Sequence, residues 1–277
     1  MTALLDIKGL NVQFGPTTAL RNIDLSLSPG ERLGLVGESG SGKSTLGLAV
    51  LGLLPETCKI TGDILFKGRA IERSDDRAMT QLRGKEIGFI HQDPMSAFSP
   101  VHTIGTHLFR AYRAGHPGAS RKEARSRAIE LLEEVEISKA KERLDHYPHE
   151  YSGGMLQRVM FAAALVGNPA MLIADEPTTA LDVTTQAAVL RMMNNVVEAR
   201  GAGLILITHD LGVVAEVCET VAVTYRGDLV QTVATSDIHA KAHPYTKALL
   251  EARPRSGMRG ERLKTIAELL PDGWADA

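Results

Sequence analysis

The 277-residue chain carries 31 lysines and arginines against 33 aspartates and glutamates, a formal net charge of −2. That balance gives no sign of a polyanion-binding surface, so nucleic acid is not an expected partner. With 44% hydrophobic and 23% charged residues, the composition fits one large folded domain, with room for a small appendage, and argues against disorder.

The start, MTALLDIKGL, lacks a basic segment followed by a long apolar run and is not read as a signal peptide. Short strands are expected at Leu4–Leu10, Val12–Phe14 and Leu25–Leu27, the last before the Pro29-Gly30 turn. Leu33–Val36 is an apolar run ending at Gly37, the pattern of a buried parallel strand. A helix is expected from Lys43 to about Leu54, where Pro55 stops it.

The middle of the chain changes character. Ser120 and Glu123 have capping-box spacing, and Ala128, Leu131, Leu132 and Val135 follow on one helical face. Residues 95–165 are expected to be mostly helical, a subdomain inserted into an α/β core. The core resumes with a strand at Met171–Ala174 and a helix over Val183–Ala199, with Leu190, Met193 and Val197 on one stripe and Gly201 as its stop. Leu204–Thr208 is a further buried strand, and from about Ala240 the chain becomes a Pro- and Arg-rich tail. Strands alternating with helices imply a largely parallel sheet covered on both faces.

No segment approaches the roughly 18 consecutive apolar residues of a spanning helix. A membrane role would require docking onto another protein's helices. The two cysteines, Cys58 and Cys218, lie far apart and outside any C-x-x-C pair, which argues against a disulfide framework or a Cys-rich metal site.

Gly37-Glu38-Ser39-Gly40-Ser41-Gly42-Lys43-Ser44 fits G-x-x-x-x-G-K-[ST] between a strand and a helix. The glycines allow several backbone N–H groups to converge on one anion, and the helix start adds positive potential. Lys43 is expected to reach the β- and γ-phosphates of a nucleotide and Ser44 to ligate Mg²⁺. The residues assigned to the nucleotide run on to Thr45. Asp175, at the tip of an apolar strand, can hold Mg²⁺ opposite Ser44, which places Glu176 to polarise an attacking water as general base. His209, at the end of a second such strand, is expected to contact the γ-phosphate. Gln92 lies where a core strand gives way to the helical segment and carries no meaning by itself.

Tyr151-Ser152-Gly153-Gly154-Met155-Leu156-Gln157-Arg158 begins an Ala-rich helix whose start could hold a second anion. The order of phosphate loop, Gln92, Ser152-Gly153-Gly154, Asp175-Glu176, Ala180-Leu181-Asp182 and His209 resembles the ABC ATPases over residues 1–240. The resemblance implies a P-loop NTPase fold of the ABC type: α/β, with a mainly parallel sheet core, an antiparallel β portion and an inserted helical subdomain. It also implies ATP and Mg²⁺ as cofactors. Phe14 would stack on adenine, and Ser152, Gly153 and Gly154 would contact the γ-phosphate bound by a second subunit. Asp182 would couple the two sites, and Gln92 would sense Mg²⁺ and water beside a permease contact. The implied catalytic residues are Glu176, His209, Gln92 and Lys43, and the implied metal residues Ser44, Gln92 and Asp175. Tyr151 and Met155 depart from the common L-S-G-G-Q.

The S-G-G-M-L-Q-R, E-P-T-T-A-L-D-V and His243-Pro244-Tyr245-Thr246 passages resemble the peptide/nickel importers, whose C-terminal extension would occupy 241–277. That likeness implies a peripheral subunit on the cytoplasmic face of a bacterial membrane, with two permeases, a sister ATPase and, indirectly, an external binding protein. The absence of cysteine after Cys218 puts the iron–sulfur cluster of some relatives in doubt. His102 and His107 lack i, i+4 spacing and a third ligand, so a permease-facing loop is expected there rather than a metal site. The alternative reading is an accessory ATPase of a soluble phosphonate-cleaving complex. A soluble ABC protein acting on ribosomes or DNA is disfavoured by the lack of a second cassette.

Overall fold

The computed structural model describes residues 2–72, 75–179, 181–252 and 265–270. Among the described residues ten strands form two sheets. A four-stranded antiparallel sheet, in the order β2-β1-β4-β5, comprises β1 (Leu5–Phe14), β2 (Thr17–Leu27), β4 (Lys59–Phe66) and β5 (Arg69–Ala70). The six-stranded sheet runs β10-β9-β3-β8-β7-β6, from β3 (Arg32–Val36), β6 (Ile87–Ile90), β7 (Met171–Asp175), β8 (Gly203–Thr208), β9 (Thr220–Tyr225) and β10 (Asp228–Ala234). All its neighbours pair in parallel except β10, which runs antiparallel to β9.

The helices, in chain order, are α1 (Lys43–Val50), α2 (Asp76–Gln81), α3 (Pro94–Ala97), α4 (Ile104–Gly115), α5 (Arg121–Glu134), α6 (Ala140–Arg143), α7 (Gly153–Ala164), α8 (Val183–Arg200), α9 (Leu211–Val217), α10 (Pro244–Glu251) and α11 (Ile266–Leu269). Every residue of β7 and β8 is buried, as strands covered on both faces must be. Between β6 and β7 the described chain is helical or looped, from α3 to α7. Arg200 ties this segment to α8, since its Nε and Nη2 donate to the two Glu134 carboxylate oxygens at 2.7 and 2.6 Å.

Several expected boundaries move for identifiable reasons. Leu4–Leu10 and Val12–Phe14 merge into β1, whose pairing with β2 shifts register between Ile7 and Leu10 and again before Val12. Such bulges break the period-2 alternation that a sequence reading relies on. The expected strand at Leu25–Leu27 extends back to Thr17, with Leu20, Ile23, Leu25 and Leu27 inward and polar residues between. Helix α1 ends at Val50 rather than near Leu54, because Gly52 turns left-handed at φ +60 and the Leu53 N–H bonds back to the Leu48 carbonyl at 2.9 Å, while Arg83 donates to the Leu51 and Gly52 carbonyls left free. Ser120 accepts from the Glu123 N–H at 3.1 Å, the N-cap half of a capping box. The Glu123 carboxylate, however, accepts from the Tyr112 hydroxyl at 2.9 Å. The tail contains α10, with Tyr245, Thr246, Ala248 and Leu249 buried. Residues 253–264 and 271–277 lie outside the described residues.

Candidate functional site

The loop from Gly37 to Ser44 joins β3 to α1. Gly42 has φ +99, and a Cβ there would lie 2.6 Å from Leu20 Cδ2 and 2.7 Å from the Ala19 carbonyl. The β1–β2 hairpin thus closes on the loop so tightly that only glycine fits. On the opposite side a Cβ at Gly37 would meet the Thr224 carbonyl at 2.2 Å. Thr224, at the end of β9, shares a hydrogen bond with the Ser41 hydroxyl at 2.9 Å and donates to the Val36 carbonyl at 3.1 Å.

Lys43 is 5% exposed, and its Nζ donates to the carbonyls of Gly37 at 2.9 Å and Glu38 at 2.7 Å. Burial lowers its pKa, against the pull of Glu176, Asp175 and Glu38. The ammonium is therefore partly desolvated and held by weak neutral acceptors, a state that favours an incoming anion. Glu38, Ser39 and Gly40 are exposed around the mouth of the loop, and Thr45 is half-buried in α1.

Ser44 Oγ donates to Asp175 Oδ1 at 3.0 Å, so the start of α1 and the tip of β7 present two oxygens to one point, as a hard cation requires. Burial raises the Asp175 pKa, opposed by the Ser44 hydrogen bond. The neighbouring Glu176 has φ +45, unfavourable for a residue with a side chain, and its N–H donates to the Ile207 carbonyl at 2.9 Å. Three donors converge on its carboxylate: Thr179 Oγ1 at 2.8 Å, Gln92 Nε2 at 3.2 Å and His209 Nδ1 at 3.2 Å. Burial pushes the Glu176 pKa up, but the hydrogen bonds from Thr179 and His209 outweigh it and leave the carboxylate below its ordinary range. Lys43, Ser44, Asp175, Glu176, Gln92 and His209, separated in sequence, thus form one linked cluster.

Phe14 is half-buried at the end of β1, paired with Thr17 in the hairpin that closes on Gly42. Ser152 caps α7 by accepting from the Met155 N–H at 3.3 Å. A Cβ on Gly154 would lie 2.4 Å from Thr185 Cγ2, whereas at Gly153 the nearest atom, Leu181 Cδ2, is 3.8 Å away. Asp182 caps α8 through the N–H groups of Thr184 and Thr185 and the Thr185 hydroxyl. The starts of α7 and α8 therefore lie side by side, with Ser152, Gly153 and Val183 exposed. Ala180 lies outside the described residues.

Tyr151 is buried, and its hydroxyl donates to the Arg143 carbonyl at 2.7 Å while the Arg143 guanidinium covers its ring. Burial pushes its pKa up to about 12. This residue secures the loop ahead of α7 by packing. His107 contacts the Ser99 carbonyl at 3.1 Å through Nε2, with His102 6.0 Å away between ring centroids. Among the described residues no group of three or more His, Cys, Asp or Glu side chains could hold a metal ion. Thr179, Thr224 and Tyr245 also touch the site. None was assigned a part in the site from the sequence: Thr224 and Tyr245 reach it from distant segments, and Thr179 reaches Glu176 only because the backbone turns at Glu176.

Residues 20–179 match the family model described as ABC transporter. The chain is 45% identical, over 97% of its length and 82% of the relative's, to a probable peptide ABC transporter ATP-binding protein, y4tR, of Sinorhizobium fredii. It is 44% identical to the oligopeptide transport ATP-binding protein OppD of Mycobacterium tuberculosis, over 96% of this chain but only 44% of that longer protein. A dimeric post-hydrolysis structure of the ATP-binding cassette MJ0796 bound to ADP and Pi superposes with a TM-score of 0.73 at 29% identity, covering 83% of this chain and 98% of that one. The chain belongs to the ABC transporter family, as one of its ATP-binding, ATP-hydrolysing subunits. Among the described residues no helix is long and apolar enough to cross a membrane.

Gly42→Ala is expected to clash with β2 and to strain a backbone at φ +99, costing about 1–3 kcal/mol of stability. Denaturant unfolding of the full chain checks this, and an unchanged midpoint would contradict the close approach of β2.

Proposed function

We propose that this chain is the ATPase subunit of an importer of short peptides, working at the cytoplasmic face of a bacterial membrane beneath two permease subunits. The peptide assignment is supported by relatives whose names specify peptide or oligopeptide transport. Nickel or a metal chelate has no comparable support. Residues 1–240 form the nucleotide-binding domain in this reading, with a helical subdomain at 95–165, and 241–277 form the extension. An external binding protein selects the cargo, and a sister ATPase supplies the second half of each nucleotide site.

The observation that carries the proposal is the convergence of Gln92, Thr179 and His209 on the Glu176 carboxylate beside the Ser44–Asp175 pair. An ionised Glu176 can accept a proton from water, and Gln92 and His209 orient it. Lys43 binds the β- and γ-phosphates of ATP, the loop amides of Gly37–Thr45 hold the phosphate chain, and Phe14 stacks on the adenine. Mg²⁺ fits the oxygens of Ser44 and Asp175, with Gln92 nearby, and supplies charge neutralisation at the phosphates. The exposed starts of α7 and α8, with Ser152, Gly153, Gly154 and Asp182, face the sister subunit. Met95 and Val101, exposed after Gln92, suit a permease contact, and His102 and His107 belong to the same segment.

Glu176→Gln is expected to keep ATP binding and slow hydrolysis by about 10²–10⁴-fold, as loss of a general base does. Turnover at the parent rate in the assembled transporter would remove Glu176 from that role. Gly153 has space for a side chain, so Gly153→Asp is expected to fold and to bind ATP within about twofold of the parent. Its carboxylate would repel a phosphate brought by the sister subunit, lowering turnover of the complex by about tenfold or more. Loss of the variant's own ATP affinity, with turnover otherwise intact, would contradict action across an interface.

A further inference from the structure

Helix α10, the first helix of the carboxy-terminal tail, reaches the phosphate loop directly. Tyr245, on α10, is fully buried, and its hydroxyl accepts from the Glu38 N–H at 3.3 Å and faces the Glu38 carboxylate at 3.4 Å. Burial raises its pKa, so the hydroxyl keeps its proton and can serve as acceptor and donor together. The Gly37 carbonyl belongs to the same peptide unit as the Glu38 N–H, and in a trans peptide the two point in opposite directions. That carbonyl accepts from Lys43 Nζ at 2.9 Å. One rigid plane is therefore held by Tyr245 at its N–H edge and by Lys43 at its carbonyl edge.

His243 to Thr246 form the first turn of α10 and its seat on β10, while the contact with the loop is made by Tyr245 alone. His243 Nδ1 accepts from the Tyr245 N–H at 3.3 Å, capping α10, and Pro244 opens the helix with its preset φ. Thr246 donates to Gln231 Oε1 on β10 at 2.7 Å, and the same oxygen accepts from the His243 N–H at 2.9 Å. The Tyr245 ring lies 4.5 Å from that of Tyr225, the residue after the Thr224 that holds Ser41. Burial of the ring explains an aromatic residue here, and phenylalanine would serve equally. It does not explain a buried hydroxyl, which is costly without a partner and whose partner here is the loop backbone.

We propose that Tyr245 is a positioning residue of the nucleotide site, fixing the Gly37–Glu38 peptide that holds Lys43 and thereby coupling the carboxy-terminal helix to ATP affinity. This rests on the nucleotide reading of the loop given above. Tyr245→Phe keeps the ring and loses the hydroxyl. Both contacts are long, so the effect is moderate: ATP binding to the full chain with Mg²⁺, measured by calorimetry, weakens by about three- to tenfold. In the assembled transporter KM for ATP rises by the same factor while kcat changes less than twofold, because Glu176 is untouched.

Thr246→Val separates positioning from packing. It cuts the anchor to Gln231 and is expected to lower the Tm while leaving the Kd for ATP unchanged. A native chain that binds ATP and a Tyr245→Phe variant with the same Kd would overturn the inference alone. Equal weakening in Tyr245→Phe and Thr246→Val would also overturn it, by showing a general structural effect. A native chain that binds no ATP would overturn the nucleotide reading itself.

Discussion

A lysine ammonium buried at the base of a tight loop needs partners, and the loop supplies them from its own backbone. Lys43 sits on the carbonyls of Gly37 and Glu38, and the shape of the loop follows from holding those carbonyls inward. The surrounding fold presses on that arrangement from several sides. The β1–β2 hairpin closes at Gly42, Thr224 closes at Gly37, and α10 reaches Glu38 through Tyr245. The antiparallel sheet, the parallel sheet and the carboxy-terminal helix thus meet at one loop. Neutral carbonyls are weaker partners for a cation than phosphate oxygens, so on the proposed nucleotide reading Lys43 exchanges one for the other.

The second constraint is the pair of acids at the end of β7. Asp175 is buried against Ser44, while Glu176 turns away through a left-handed backbone conformation into a ring of hydrogen-bond donors. The strain in that turn separates two adjacent carboxylates into different environments, one with a raised and one with a lowered pKa. Adjacent side chains of a regular strand would point to opposite faces of the sheet and could not share the space above Ser44.

Much of this was legible in the sequence, and the remainder was hidden for physical reasons. The buried runs at Leu33–Val36, Met171–Ala174 and Leu204–Thr208 appear as β3, β7 and β8 with shifts of at most one residue, because strands covered on both faces are uniformly apolar. The Gly37–Ser44 loop is read from its glycine spacing, its closing Lys43-Ser44 pair and its place between a strand and a helix. The unbroken course of β1 was obscured by its bulges, and the end of α1 by the presence of two successive stop residues, of which Gly52 acts before Pro55. The positive φ of Glu176 leaves no mark on residue identity, since glutamate is not a residue chosen for that conformation. The sequence also marked His243-Pro244-Tyr245-Thr246 as a family likeness. Its contact with Glu38 spans more than two hundred residues and has no local signal.

On the proposed coupling through Tyr245, the phosphate loop and α10 form one mechanical unit rather than a site and an appendage. Hydrogen–deuterium exchange of the full chain, with and without ATP and Mg²⁺, tests this most directly. Nucleotide is predicted to slow exchange in residues 37–46 and in residues 243–251 together. Protection in 37–46 with unchanged exchange across 243–251 would contradict it, leaving the carboxy-terminal helix without a part in the nucleotide site.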